Sequence, residues 1–162
     1  MKTGYLVADI MTTNPVKVDG LLSVKECAEV MKRSDVGSVL VMKGSELIGI
    51  VTEKDIVFKL TVYNKDASKT TAKDIMTSKE NMTIIEPNKD IYDALIVMKE
   101  NKVRRLPVLA GEKLMGLITV NDILKIEPDL FDLMVERITL REEDRKLNLE
   151  SFSEDDDDEE NI

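Results

Sequence analysis

The chain has 162 residues and a formal net charge of −9, from 23 Lys and Arg against 32 Asp and Glu. Seven of the negatives lie in Glu154–Glu160 (EDDDDEE), which leaves −2 on residues 1–153 and no basic face of the kind that general nucleic-acid binding requires. The length suits one ordinary domain or two very small ones, and no apolar run approaches the roughly 20 residues of a membrane-spanning helix.

The opening, MKTGYLVADIMT, carries one Lys and an Asp inside a short apolar patch, so it does not read as a signal peptide. A short strand is expected at Val16–Val18. Ser23–Ser34 follows with Val24, Cys27, Ala28, Val30 and Met31 mainly on one helical face. Ser38–Met42 and Glu46–Val51 are strand-like, joined by a tight turn at Lys43-Gly44-Ser45, and a second helix follows Thr52. Cys27, the single cysteine, has no internal disulfide partner, which points to a reducing, cytoplasmic compartment. On an apolar helix face it reads as a small core residue.

The same elements then return. Asp9-Ile10-Met11-Thr12 recurs as Asp74-Ile75-Met76-Thr77, 65 positions on. Ser23–Val41 aligns with Asp90–Val108 at an offset of 67, so two residues are added near Ser78–Met82. The halves are residues 1–63 and 72–126, joined by a polar linker at 64–71. A lone unit of about 60 residues buries too little surface to be robust, so a shared core and pseudo-twofold packing are expected. The fold class is α/β (α+β), two β-α-β-β-α repeats. Beyond Glu127-Pro128, the segment Asp129–Leu149 places Leu130, Leu133, Met134 and Ile138 on one stripe, giving a helical extension over 127–150 that packs on its own core or on a second copy. Residues 151–162 form an acidic tail that can bury nothing and is expected to be disordered.

One motif ends both halves. GIVTEKDI (Gly49–Ile56) returns as GLITVNDI (Gly116–Ile123). Thr at a helix start is a good N-cap, and Asp three residues later completes a capping box. The same atoms admit a second use. Free amides at a helix N-terminus attract phosphate, and a carboxylate there can accept hydrogen bonds from a ribose diol.

The D-I-M-T openings, the VRRLPV strand (Val103–Val108) and the paired G-h-h-T-x-x-D-I endings resemble a tandem pair of cystathionine-β-synthase (CBS) domains, a Bateman module, over about residues 6–126. The resemblance implies that Asp55 and Asp122 bind ribose hydroxyls. It implies that Thr52 and Thr119 contact sugar or phosphate, and that Lys54 or Asn121 points at phosphate. Pro15, Val16, Val39, Thr83, Ile84, Leu106 and Pro107 would line an adenine pocket, with Arg104 and Arg105 on phosphate. It further implies AMP, ADP, ATP or S-adenosylmethionine as regulatory ligand, no required cofactor, a homodimer, and a regulated protein partner. Repeat 1 has Gly37 and Ser38 where repeat 2 has Arg104 and Arg105, so unequal sites are expected. Along a regular strand the two arginines alternate, and one at most would enter a given cleft. The sequence leaves open which repeat's carboxylate meets them.

Other chemistries fall away. With no His, Ser-His-Asp and Cys-His catalysis and the usual zinc sites are removed, and no enzyme is expected. Gly44–Gly49 and Gly111–Gly116 have phosphate-loop spacing but lack the following Lys-Ser/Thr. The nine methionines read mostly as core filler. Three rivals remain: a structural interaction module in which both T-x-x-D motifs are only caps, a nucleic-acid binder using Arg104, Arg105 and nearby lysines with the acidic tail as autoinhibitor, and a small enzyme that motif reading misses.

Overall fold

The computed structural model describes residues 2–132 and 135. In chain order the first half gives α1 (Val7–Ile10), β1 (Lys17–Asp19), α2 (Val24–Ser34), β2 (Ser38–Lys43), β3 (Glu46–Thr52) and α3 (Glu53–Ile56), which runs on as a π-helical turn, Val57–Thr61. The second gives α4 (Ala72–Ile75), β4 (Thr77–Ser78), α5 (Ile91–Glu100), β5 (Arg105–Ala110), β6 (Lys113–Thr119) and α6 (Val120–Ile126). The expected β-α-β-β-α order is present in the first half; in the second, the strand before the helix is missing, since β4 is the counterpart of the segment at Thr12 and not of β1. The extension begins as a 3-10 turn, Pro128–Leu130, with Leu130 buried in the second core. Leu133, Met134, Ile138 and the acidic tail lie outside the described residues. No helix among the described residues is long and apolar enough to cross a membrane.

Local chemistry explains the elements. Ser23 and Glu26 form a reciprocal capping box on α2: the Ser23 N–H donates to Glu26 Oε2 at 3.0 Å and the Glu26 N–H to Ser23 Oγ at 3.2 Å. Each hairpin turns through a glycine in the left-handed region, Gly44 and Gly111, both at φ +60°. Each also has a register irregularity at the matching place, Val41/Met42 and Val108/Leu109. In the first half β1 lies parallel to β2. In the second half the corresponding strand shrinks to one bridge, Ile85 to Val108. Two prolines are the cause. Leu40, the counterpart of Pro107, donates its N–H to the Val16 carbonyl at 3.0 Å, and Gly20, the counterpart of Pro87, donates to the Met42 carbonyl at 3.1 Å. Pro107 has no N–H to offer Thr83, and Pro87 has none to offer Leu109.

The two halves exchange their openings. Thr12 exchanges backbone hydrogen bonds with Leu117 of β6, at 2.9 and 3.0 Å. Thr77 of β4 pairs with Ile50 of β3, the same relation after the offset. Accordingly Val7 is buried with Ile85, Ile91, Leu95, Met98 and Ile118, while Ala72 and Ile75 are buried with Val18, Val24, Cys27 and Met31. A third cluster, Leu40, Leu47, Ile50 and Leu109, joins the two hairpins. Cys27 is fully buried, and burial, aided by the Glu26 charge, pushes its thiol up to about 11, so it is an inert core residue.

The crossing depends on two glycines. A Cβ on Gly49 would sit 2.4 Å from Met76 Sδ and 2.7 Å from the Thr77 carbonyl oxygen; one on Gly116 would sit 2.5 Å from the Thr12 carbonyl oxygen and 2.9 Å from Met11 Sδ. A methionine can swing aside, but a ladder carbonyl cannot. Gly49→Ala and Gly116→Ala should each destabilise by about 1–3 kcal/mol, the usual cost of overpacking, read as a lower urea midpoint. Shortening Met76 or Met11 in the same chain should not restore stability.

Asp90, at the N-cap of α5, ties down the chain's opening. Its Oδ1 accepts from the Tyr92 N–H at 2.8 Å and the Thr3 hydroxyl at 2.9 Å. Its Oδ2 accepts from the N–H groups of Thr3 and Gly4 at 2.9 and 3.1 Å. Burial pushes this carboxyl up, but the four donors together outweigh it and hold it below the usual carboxylate range. A depressed folded value contributes stability above the unfolded value, about 3.9 for Asp, and that contribution is lost as pH falls through the folded value. Asp90→Asn should therefore be less stable than wild type at neutral pH, and its unfolding free energy should fall less steeply into acid.

Candidate functional site

Both T-x-x-D motifs form the strand-to-helix junctions that their spacing predicts. At β3–α3, Asp55 Oδ2 accepts from the Thr52 N–H at 2.9 Å and the Thr52 hydroxyl at 2.9 Å, and the Asp55 N–H returns to Thr52 Oγ1 at 3.2 Å. At β6–α6 the Thr119 and Asp122 distances are 2.9, 2.7 and 3.3 Å. The junctions differ at the other carboxylate oxygen. Asp55 Oδ1 lies 2.9 Å from Lys59 Nζ, while the residue 67 positions after Lys59 is Ile126, which has no amine.

The first junction opens into a cleft of about 710 Å³ between the repeats, within the size range of small-molecule sites. Thr52, Lys54 and Asp55 line one side, and Thr83, Arg104, Arg105 and Pro107 the other. The cleft thus brings the carboxylate of repeat 1 to the arginines of repeat 2. Thr119, Asn121 and Asp122 belong to the other junction and do not line this cleft. Val39 and Leu106 are wholly buried in the first and second cores. Pro15 is buried, Val16 packs against the first core, and Ile84 is exposed; none of them lines this cleft.

Both arginines line the cleft, which corrects the alternation argument. Strand pairing begins at Arg105, so Arg104 precedes the regular strand and the period-two rule does not reach it. Arg104 is exposed and Arg105 half-buried. Burial holds the Arg105 guanidinium below its ordinary value, the Glu53 charge opposes this, and the Arg104 charge adds to it.

Sequence reasoning missed Lys102 and Glu53. Lys102 occupies a left-handed position at the end of α5 (φ 55°), as Asp35 does at the end of α2 (φ 51°), and this turn delivers it to the cleft. The signal was the basic run Lys102-Val103-Arg104-Arg105 standing against Asp35-Val36-Gly37-Ser38. Glu53 reaches over Gly37, where a Cβ would meet Glu53 Oε2 at 3.0 Å and Arg105 Nη1 at 3.5 Å.

The lining carries four cations, Lys54, Lys102, Arg104 and Arg105, against two carboxylates, Glu53 and Asp55. Among the described residues none of the four lies within 4.0 Å of a carboxylate, although Lys54 stands 5.5 Å over the Phe58 ring. The lining is therefore net positive in a chain where acids outnumber bases. No group of three or more His, Cys, Asp or Glu that could hold a metal occurs among the described residues.

Two hairpin-and-helix repeats, crossed at their openings and enclosing a charged cleft at the seam, define a tandem-repeat module. The chain belongs to the CBS domain family, whose model matches residues 7–61 and again 72–129. It is a CBS domain pair, a regulatory module. A relative from Methanopyrus kandleri, the uncharacterized protein MK0525, is 32% identical over 124 residues, covering 75% of this chain and 60% of that protein's length. The solved structure of a putative signal-transduction protein with CBS domains from Burkholderia ambifaria is 30% identical, with a TM-score of 0.66, over 72% of this chain and 85% of that one. The CBS domain pair of protein MJ0100, solved in complex with 5′-methylthioadenosine and S-adenosyl-L-methionine, shares the fold at 24% identity, with a TM-score of 0.67, over 75% of this chain and 94% of that one.

Proposed function

We propose that this CBS pair senses an adenosine-containing ligand that carries phosphate, AMP, ADP or ATP, and passes its occupancy to a regulated protein. The observation that carries the reading is the assembly of one cleft from Asp55 of repeat 1 and the unpaired Lys102, Arg104 and Arg105 of repeat 2. Asp55 takes a ribose hydroxyl, Thr52 orients Asp55, and Lys54 and the repeat 2 cations take the phosphates. The Thr83 carbonyl, deprived of a strand donor by Pro107, is an acceptor for the 6-amino group of adenine. A ligand held by both repeats favours one relative arrangement of them, and only that differential affinity can be transmitted. S-adenosylmethionine, one of the two ligands of the MJ0100 pair, is the unphosphorylated alternative, and it makes less use of the arginines.

A second reading, a purely structural interaction module, is favoured by the completeness of both capping boxes. Ligand at 100 times its dissociation constant adds about 2.7 kcal/mol, or a rise of roughly 5–11 °C in Tm for a chain near this size. The nucleotide reading expects that rise with AMP, ADP or ATP and its loss in the Arg104→Gln/Arg105→Gln double variant, whose ligand-free Tm stays close to wild type. No rise with any adenosine compound favours the structural reading.

We also propose that the chain pairs with a second copy through the end of repeat 1. Val57, Phe58, Val62 and Tyr63 on and beside the π-helical turn are 54, 52, 68 and 70% exposed. Light scattering should give the mass of a dimer for wild type and of a monomer for Phe58→Asp; a wild-type monomer overturns this pairing.

A further inference from the structure

Lys59 is placed where it limits what Asp55 can accept. It stands four residues after Asp55, on the π-helical turn, and its Nζ lies 2.9 Å from Asp55 Oδ1. The same ammonium donates to the carbonyl of Ile75, the last residue of α4, at 2.7 Å. That second bond pins it, because α4 is held in the first core by Ala72 and Ile75. A ligand hydroxyl that pushed Lys59 aside would have to break both contacts and strand a helix-terminal carbonyl.

Counting acceptor positions gives the consequence. An ionised carboxylate offers about four. Thr52 uses two of those on Asp55, through its N–H and its hydroxyl, both on Oδ2. Lys59 uses a third on Oδ1, so a single position is left for a ligand. Asp122 gives the same two to Thr119. Ile126 stands where a lysine would have to be, and no donor among the described residues reaches Asp122 Oδ1. The duplicated motif therefore carries two carboxylates of different capacity.

We infer that Lys59 is a positioning residue that sets sugar specificity: it restricts Asp55 to one hydroxyl of the ligand's sugar, whereas an unrestrained carboxylate in this motif takes both. This rests on the nucleotide reading of the same cleft. The site formed with Asp55 thus requires one sugar hydroxyl, and a deoxynucleotide that keeps the right one binds as well as the ribonucleotide.

The test is calorimetric titration of ATP, 2′-deoxy-ATP and 3′-deoxy-ATP in an Asp122→Ala background, where Asp55 is the remaining sugar carboxylate. One of the two deoxy compounds should bind within about twofold of ATP. Adding Lys59→Met keeps the aliphatic stem and frees the second position; both deoxy compounds should then fall behind ATP by roughly tenfold, the worth of one hydrogen bond to an ionised group. The converse variant, Ile126→Lys in an Asp55→Ala background, should narrow the gap between ATP and one deoxy compound at Asp122. Its position is 45% exposed, so the lysine can be accommodated. If ATP binds but both deoxy compounds are tenfold weaker with Lys59 present, and Lys59→Met changes nothing, this inference fails and the nucleotide reading stands. If wild type binds none of the three, both fail together.

Discussion

The crossing of the two openings over Gly49 and Gly116 is the constraint on which the other features depend. Each opening segment lays a ladder carbonyl and a methionine sulfur against a strand position where no side chain fits. Because the first segment closes on the second hairpin and the second on the first, the hairpins are held against each other through Leu40, Leu47, Ile50 and Leu109. That arrangement sets the β3–α3 junction of one repeat opposite the β5 entry of the other. The cleft is a product of the crossing, and its walls come from different copies of the same unit.

Within that symmetric frame the charges are not symmetric. The turn after α2 presents Asp35, then Gly37 and Ser38; the turn after α5 presents Lys102, then Arg104 and Arg105. Backbone geometry at the two turns is alike, with the same left-handed residue. Side chains alone make one seam cationic. The carboxylates diverge too, since Lys59 engages Asp55 Oδ1 while Ile126 leaves Asp122 Oδ1 without a lysine partner. Duplication supplied two junctions, and a handful of substitutions gave them different electrostatics and acceptor capacities.

Much of this could be read from the chain. The offset of 67 located the long helix, the hairpin and the closing helix of the second repeat, and the Thr52 and Thr119 caps marked two helix starts correctly. What escaped has identifiable causes. Alternation failed at Arg104 because pairing starts one residue later. The first strand of repeat 2 is reduced to a bridge because Pro107 and Pro87 cannot donate, a loss that periodicity does not register. The meeting of Asp55 with the repeat 2 arginines depends on the crossing, which is a long-range pairing with no local signature. Gly49 and Gly116 open the two motifs, and the reason for them lies outside the motif, in the closeness of Thr77 and Thr12.

The reciprocal exchange has a consequence for what counts as a unit here. Cutting the chain between residues 64 and 71 would leave neither piece whole. The leading fragment would keep its hairpin but forfeit Ala72 and Ile75 from its interior, and the trailing one would forfeit Val7. Each piece would also display a bare strand edge shaped for the other's arm. Such halves are made to recombine: a single ancestral unit with this arm would complete itself only by trading arms with a twin, and the linker merely makes that trade permanent.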